Sequence, residues 1–196
     1  MAKAARHLLL SIVILGVGLL GLAGVAYVMM PGAARLPAVA IGGPFALSDG
    51  NGHVVTDGDM KGRPFLVFFG YTHCPDICPT SLFEISQVLK TMGPDKKISV
   101  LFVTVDPARD TPAVMKDYVA DFDPRIIGLS GDPAHIQSVE KAYRVYARKA
   151  PTSEGGDYAM DHTAIVYLMD KDGRFVNAFN LERPPEAAAK ELEKYL

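Results

Sequence analysis

The chain has 196 residues, 49% hydrophobic and 21% charged, with a formal net charge of −2. That composition excludes a disordered tail, and its mild acidity excludes a protein held to nucleic acid through the phosphate backbone. Its two cysteines, Cys74 and Cys78, are too few for a disulfide-stapled framework or a four-cysteine zinc site.

Leu8 to Met30 contains no charged residue. As a helix rising ~1.5 Å per residue it is ~34 Å long, against a hydrocarbon core of ~30 Å. Lys3 and Arg6 precede it, and the positive-inside rule keeps that end in the cytoplasm. Residues 1–30 are therefore expected to be a cytoplasmic stub and a single transmembrane anchor, with the rest of the chain exported. A cleaved signal peptide is the competing reading, with Ala38-Val39-Ala40 as its cleavage site. Pro31 to Pro44 is rich in Pro, Gly and Ala and reads as a linker (31–44). Residues 45–196 are then one folded domain.

Within that domain, Phe45 to Ser48 and His53-Val54-Val55 flank Asp49-Gly50-Asn51-Gly52, the pattern of a hairpin. Phe65 to Phe69 and Ile98 to Val105 are continuous apolar runs, as in strands buried on both faces. Ile126 to Leu129 is a shorter run, internal or at an edge. Ala164 to Met169 and Arg174 to Phe179 form a second hairpin about Asp172-Gly173.

Helical periodicity falls in four places. Pro79 to Met92 aligns Leu82, Ile85, Leu89 and Met92 and stops at Gly93-Pro94. Pro112 to Phe122 follows Thr111 as cap and aligns Val114, Met115, Tyr118, Val119 and Phe122. Pro133 to Ala147 aligns Ile136, Val139, Tyr143 and Tyr146, and Glu186 to Leu196 closes the chain. The order of elements predicts an α/β sandwich about a central sheet.

Chemistry concentrates where the first buried strand meets its helix, at Gly70-Tyr71-Thr72-His73-Cys74-Pro75-Asp76-Ile77-Cys78-Pro79. Ligands gather at the carboxyl ends of strands in such sheets. Proline after each cysteine disfavours helical backbone, which predicts Cys78 as N-cap with Pro79 at the first helical position. The helix N-terminus is expected to favour thiolate over thiol there. Two thiols four residues apart can close a disulfide or bind a soft metal.

The segment Phe69 to Pro79 resembles the CxxxC region of the Sco/SenC proteins, copper-binding assembly factors of cytochrome c oxidase. Asp106-Pro107-Ala108-Arg109-Asp110-Thr111-Pro112 is similar to that family's acidic-proline loop, and Asp161-His162-Thr163 to its distal histidine before a core strand. The resemblance covers most of residues 41–196. It implies a thioredoxin-like domain with an N-terminal β-hairpin behind one transmembrane helix. It also implies copper, as Cu(I) or Cu(II), held by Cys74, Cys78 and His162. Thiolates suit Cu(I), and imidazole suits Cu(II) and zinc, so residue types alone leave copper and zinc both open.

His7, His53, His73 and His135 are the other histidines. His7 precedes the anchor, His53 lies at a turn, His135 on a polar helix face, and His73 beside Cys74. Asp106, Arg109 and Asp110 are expected either to cap the next helix or to support the site or a docking partner. Met160 is read as packing rather than as a soft ligand.

Three functions follow as expectations. One is a copper metallochaperone, not an enzyme, acting on the copper-binding subunit of cytochrome c oxidase; its further partners would be other copper chaperones or thiol reductants of the periplasm. The implied location is the bacterial inner membrane with the domain periplasmic, or the intermembrane space if the protein is mitochondrial. The second is a thiol–disulfide reductase whose redox-active groups are Cys74 and Cys78. The CxxxC spacing and the absence of a proline at Asp161 to Ala164 weigh against it. The third, a thiol peroxidase, lacks the threonine and proline arrangement before Cys74.

Overall fold

The computed structural model describes residues 2–29, 40–151 and 158–196. The chain divides into two compact units, Met1–Val39 and Ala40–Leu196. Most of the expected linker, at 31–39, and the Gly155-Gly156 loop lie outside the described residues.

Among the described residues, the first unit holds one helix, α1 (Ala2–Met29), of 28 residues. Its described side chains from Ile12 to Val25 are exposed. Among the described residues, no helix is long and apolar enough to cross a membrane.

The second unit is built on a seven-stranded mixed sheet. Its strands are β1 (Ala46–Asp49), β2 (Val54–Thr56), β3 (Phe65–Gly70), β4 (Ser99–Thr104), β5 (Ile126–Ser130), β8 (Val166–Met169) and β9 (Phe175–Ala178), in the order β2-β1-β5-β4-β3-β8-β9. A separate two-stranded sheet pairs β6 (Ala147–Pro151) with β7 (Tyr158–His162). The helices are α2 (Ile77–Met92), α3 (Pro112–Val119), α4 (Pro133–Tyr143) and α5 (Pro185–Glu193).

The apolar runs behave as their composition requires. Every residue of β3 is buried, as are all but the first of β4, because both strands lie inside the sheet. The β3–β4 and β4–β5 pairs are parallel, joined by α2 and α3 as crossovers. The short run at Ile126 is internal, flanked by β4 and by the hairpin strand β1.

This topology fixes where the loops meet. Parallel pairing of Gly70 with Thr104 brings the ends of β3 and β4 to one sheet edge. β8 runs antiparallel to β3, with Val166 opposite Phe68, so the segment entering β8 arrives at that same edge. Residues 70–78, 104–110 and 162–165 are thereby neighbours although far apart in sequence.

Helix limits differ from the periodic expectation in all four helices of this unit, and α5 spans Pro185–Glu193 where Glu186 to Leu196 was expected. The first turn of α2 begins at Ile77, after Asp76, so Cys78 lies inside the helix and is not its N-cap. Proline is tolerated there because first-turn N–H groups have no intrahelical partner. α3 ends at Val119, and Met115 is its one fully buried residue, while Val114 is exposed. The helix packs so close to β5 that a Cβ at Gly128 would lie 2.8 Å from the Met115 carbonyl oxygen. α4 stops at Tyr143, because Arg144 takes a left-handed conformation at φ 59° and its N–H closes on the helix end. Tyr146 and Ala147 are thus released from the helix, and β6 forms instead.

A non-glycine residue in that conformation costs roughly 1–2 kcal/mol, partly offset by the greater chain entropy of glycine. Arg144→Gly is expected to stabilise the fold by about 0.5–1 kcal/mol, measured by urea unfolding of the metal-free chain in mild detergent.

Candidate metal centre

Cys74 lies in the loop after β3, its N–H donating to the Tyr71 carbonyl at 3.3 Å. Cys78 follows in the first turn of α2 and is 0% exposed. Gly70 makes room for it: a Cβ there would lie 2.7 Å from both Cys78 Sγ and the Phe102 ring. The Cys78 N–H donates to Cys74 Sγ at 3.4 Å, so the amino end of α2 faces the outer cysteine.

His162 ends β7 and comes from 84 residues away to place Nε2 3.7 Å from Cys78 Sγ. The ligand atoms of Cys74, Cys78 and His162 all lie within 4.8 Å of one another, and both cysteines are free. His162 Nδ1 meets the Thr163 carbonyl oxygen at 3.2 Å. That oxygen can only accept, so the contact places the ring proton on Nδ1 and leaves the Nε2 lone pair toward the sulfurs. The Tyr71 ring meets the imidazole edge-on, with centroids 5.7 Å apart.

Electrostatics favour uncharged groups in this place. Burial pushes the Cys78 thiol well above its usual range, with the nearby Cys74 and Asp110 adding to the shift. The helix N-terminus was expected to have the opposite effect, but a fully buried sulfur loses more to desolvation than the dipole returns. Burial also lowers the His162 pKa, against the opposing pull of the Thr163 carbonyl and Asp161.

The acidic loop behind the cysteines divides its labour. Thr111 caps α3, its side chain accepting from the Val114 N–H. Asp110 is not the cap: at 0% exposure it accepts from the Thr72 N–H (3.1 Å), the Thr72 hydroxyl (2.6 Å) and the Thr104 hydroxyl (2.7 Å). The buried carboxylate thereby pins the loop leading to Cys74. Asp106 pairs with Arg109, and both reach Tyr158.

The remaining histidines stand elsewhere. His73 turns to Thr72 and Asp110, His53 pairs with Asp49, and His135 pairs with its cap Asp132. His7 lies in α1. Met160 packs against the core. Tyr71, Thr72 and Tyr158 were not singled out in the sequence. Alternation across Tyr158 to His162 was the available signal for β7.

Residues 33–196 match the family model described as SCO1/SenC. The chain belongs to the SCO1/SenC family. An SCO2-like protein of Rickettsia prowazekii is 40% identical over 156 residues, covering 79% of this chain and 74% of the relative. The copper-bound structure of Bradyrhizobium japonicum ScoI is 64% identical, with a TM-score of 0.77 over 80% of this chain and all of that one. Copper-bound yeast Sco1 is 37% identical, with a TM-score of 0.72 over 80% of this chain and 88% of that one. The α/β domain of this SCO1/SenC protein is thus the expected thioredoxin-like fold.

Two predictions follow from the site. Asp110→Asn replaces one of the two accepting oxygens with an amide donor, leaving one oxygen for three donors, and is expected to cost about 1–3 kcal/mol. Faster amide exchange at Thr72 in the same variant would show the loop loosening. A histidine with a depressed folded pKa stabilises the fold fully above its unfolded value of 6.5, and that contribution fades as pH falls below it. The metal-free chain is therefore expected to lose stability on acidification below about 6.5, and His162→Gln to flatten that limb of the unfolding profile.

Proposed function

We propose that this protein carries copper at Cys74, Cys78 and His162 and serves the copper site of cytochrome c oxidase as a metallochaperone. The observation that carries the reading is the convergence of two thiols and one imidazole nitrogen within 4.8 Å. Donor atoms ~2.0–2.3 Å from one centre in a trigonal plane are ~3.7–4.0 Å apart, close to the Cys78–His162 separation of 3.7 Å. Thiolate sulfur selects a soft metal, and the imidazole nitrogen extends the set to the divalent ion. Copper is favoured over zinc by the relatives with copper bound, ScoI of B. japonicum and yeast Sco1.

The chain's own groups control loading. Cys78 is protonated when the site is metal-free, so binding must displace its proton, and affinity rises with pH. Neutral His162 with its proton held at Nδ1 is ready to donate from Nε2. Oxidation of the two thiols to a disulfide removes both sulfur donors, so redox state gates loading.

The anchored arrangement is proposed from the sequence alone, from the uncharged stretch Leu8 to Met30. Under this reading Lys3 and Arg6 ahead of that stretch favour a cytoplasmic start and a domain in a periplasm or an intermembrane space.

One observation favours a second reading, reduction of the oxidase's copper-site cysteines. A partly exposed thiol, Cys74, precedes a buried one, Cys78, as an attacking thiol precedes its resolving partner. His162→Ala separates the two, because it spares both thiols. Under the chaperone reading the variant's strain loses oxidase activity at low copper, and added copper partly restores it by mass action. Normal oxidase assembly in that strain at low copper would establish the reductase reading instead.

The purified, reduced full-length chain in detergent is expected to bind one copper, with thiolate-to-metal charge transfer in the Cu(II) form. Closure of the Cys74–Cys78 disulfide is expected to abolish that binding. The protein is expected to remain in membranes through a salt wash and to leave only with detergent; release by salt would refute the anchor.

A further inference from the structure

His162 stands on an element that no backbone ladder joins to the main sheet among the described residues: β6 and β7 pair only with each other. At their base the Thr163 N–H donates to the Tyr146 carbonyl, and the Tyr146 N–H to the Thr163 hydroxyl. Those bonds close the arm on itself. Other contacts hold it to the cysteine loop. Met160 packs on the core and its backbone meets the Tyr71 hydroxyl.

A further group of contacts centres on Arg109. Its guanidinium carbon lies 3.8 Å from the Tyr158 ring centroid and 5.7 Å from that of Tyr71, the ring that meets His162 edge-on. Arg109 also donates to the Tyr158 carbonyl at 2.9 Å and pairs with Asp106. The Tyr158 hydroxyl donates to Asp106 Oδ1 at 2.9 Å, and Lys149 Nζ lies 4.1 Å from the Tyr158 ring centroid. Asp106 is 1% exposed and the Arg109 side chain 16%, so the pair works away from water, where cation–ring and charged hydrogen bonds are strongest. Tyr158 begins the strand that His162 ends.

We propose that Arg109 is a positioning residue for the metal centre. Stacked on Tyr158 and paired with Asp106, it docks the β6–β7 arm so that His162 meets the two cysteines. The inference rests on the Cys74, Cys78 and His162 reading given above. Arginine suits the task because one planar group stacks, donates to a carbonyl and pairs with a carboxylate at once. Lysine can supply only the charge.

The test uses the full-length chain in mild detergent, reduced and metal-free, titrated with Cu(I) and Cu(II). Arg109→Met keeps side-chain length and loses the charge, the donor fork and the planar face. Cu(I) binding by the two thiols is expected to persist. Cu(II) binding is expected to weaken about ten- to a hundredfold. Its electron paramagnetic resonance spectrum should lose nitrogen coupling and match that of His162→Ala. In the metal-free chain the His162 ring-proton resonances should lose the shift imposed by the Tyr71 ring. Tyr158→Ala, which leaves the Asp106–Arg109 pair in place, should repeat these changes, while Tyr158→Phe should retain the native spectrum. Native Cu(II) spectra and native His162 shifts in folded Arg109→Met overturn the inference. Where Arg109→Met does not fold, the same native readings in Tyr158→Ala overturn it. A Cu(II) spectrum unaltered by His162→Ala would instead refute the ligand set while leaving the metal-free shifts to judge the docking.

Discussion

The buried carboxylate of Asp110 is the constraint on which the site depends. It sits at 0% exposure between the ends of two parallel strands. An ionised group there is tolerable only with its lone pairs occupied. Thr72 supplies a backbone and a hydroxyl donor from the end of β3, and Thr104 a hydroxyl from the end of β4. Satisfying the charge therefore fixes the spacing of the two loops. The Ser130 hydroxyl adds a bond to the Asp110 carbonyl, tying β5 to the same point. The cysteine loop takes its course from these bonds rather than from its own sequence, which is rich in residues that resist regular structure.

The same carboxylate shapes the sulfur chemistry beyond it. Its negative charge adds to burial in disfavouring a thiolate at Cys78. In the metal-free chain the inner thiol is thus held protonated and the imidazole uncharged. A cation can repay the cost of removing the proton; an isolated thiolate cannot be kept there cheaply. That asymmetry suits a site proposed to hold a soft cation and to revert to a quiet, protonated form when empty.

The sheet was legible in the sequence because burial on both faces writes itself as apolar runs, at Phe65 to Phe69 and at Val100 to Val103 within Ile98 to Val105. The cysteines were legible for a different reason: two thiols bracketed by prolines at a strand end have few structural uses. Less was legible where tertiary contacts override local preference. The spacing of Ile136, Val139, Tyr143 and Tyr146 continues a helical stripe, yet Arg144 turns left-handed and the chain leaves α4 for β6. Proline after Cys78 argued for a helix start at residue 79, yet the first turn has no need of those N–H groups and begins at Ile77. His162 was placed at the head of the core strand. It stands instead at the end of β7, with residues 163–165 between it and the start of β8.

That displacement of His162 gives the centre two kinds of ligand support. Cys74 and Cys78 ride on a loop and helix start locked to the main sheet through Gly70 and Asp110, so their mutual geometry is part of the core. His162 rides on a hairpin whose ladder is its own, and it reaches the sulfurs through the packing of Tyr71, Tyr158 and Arg109. Rupture of a ladder would cost many bonds at once, whereas side-chain docking can shift with few. Under the proposed ligand set the sulfur pair suits a soft monovalent ion, and the nitrogen extends the set to the divalent ion. A fixed pair with a docked third donor would then let one fold present two coordination environments without disturbing its core.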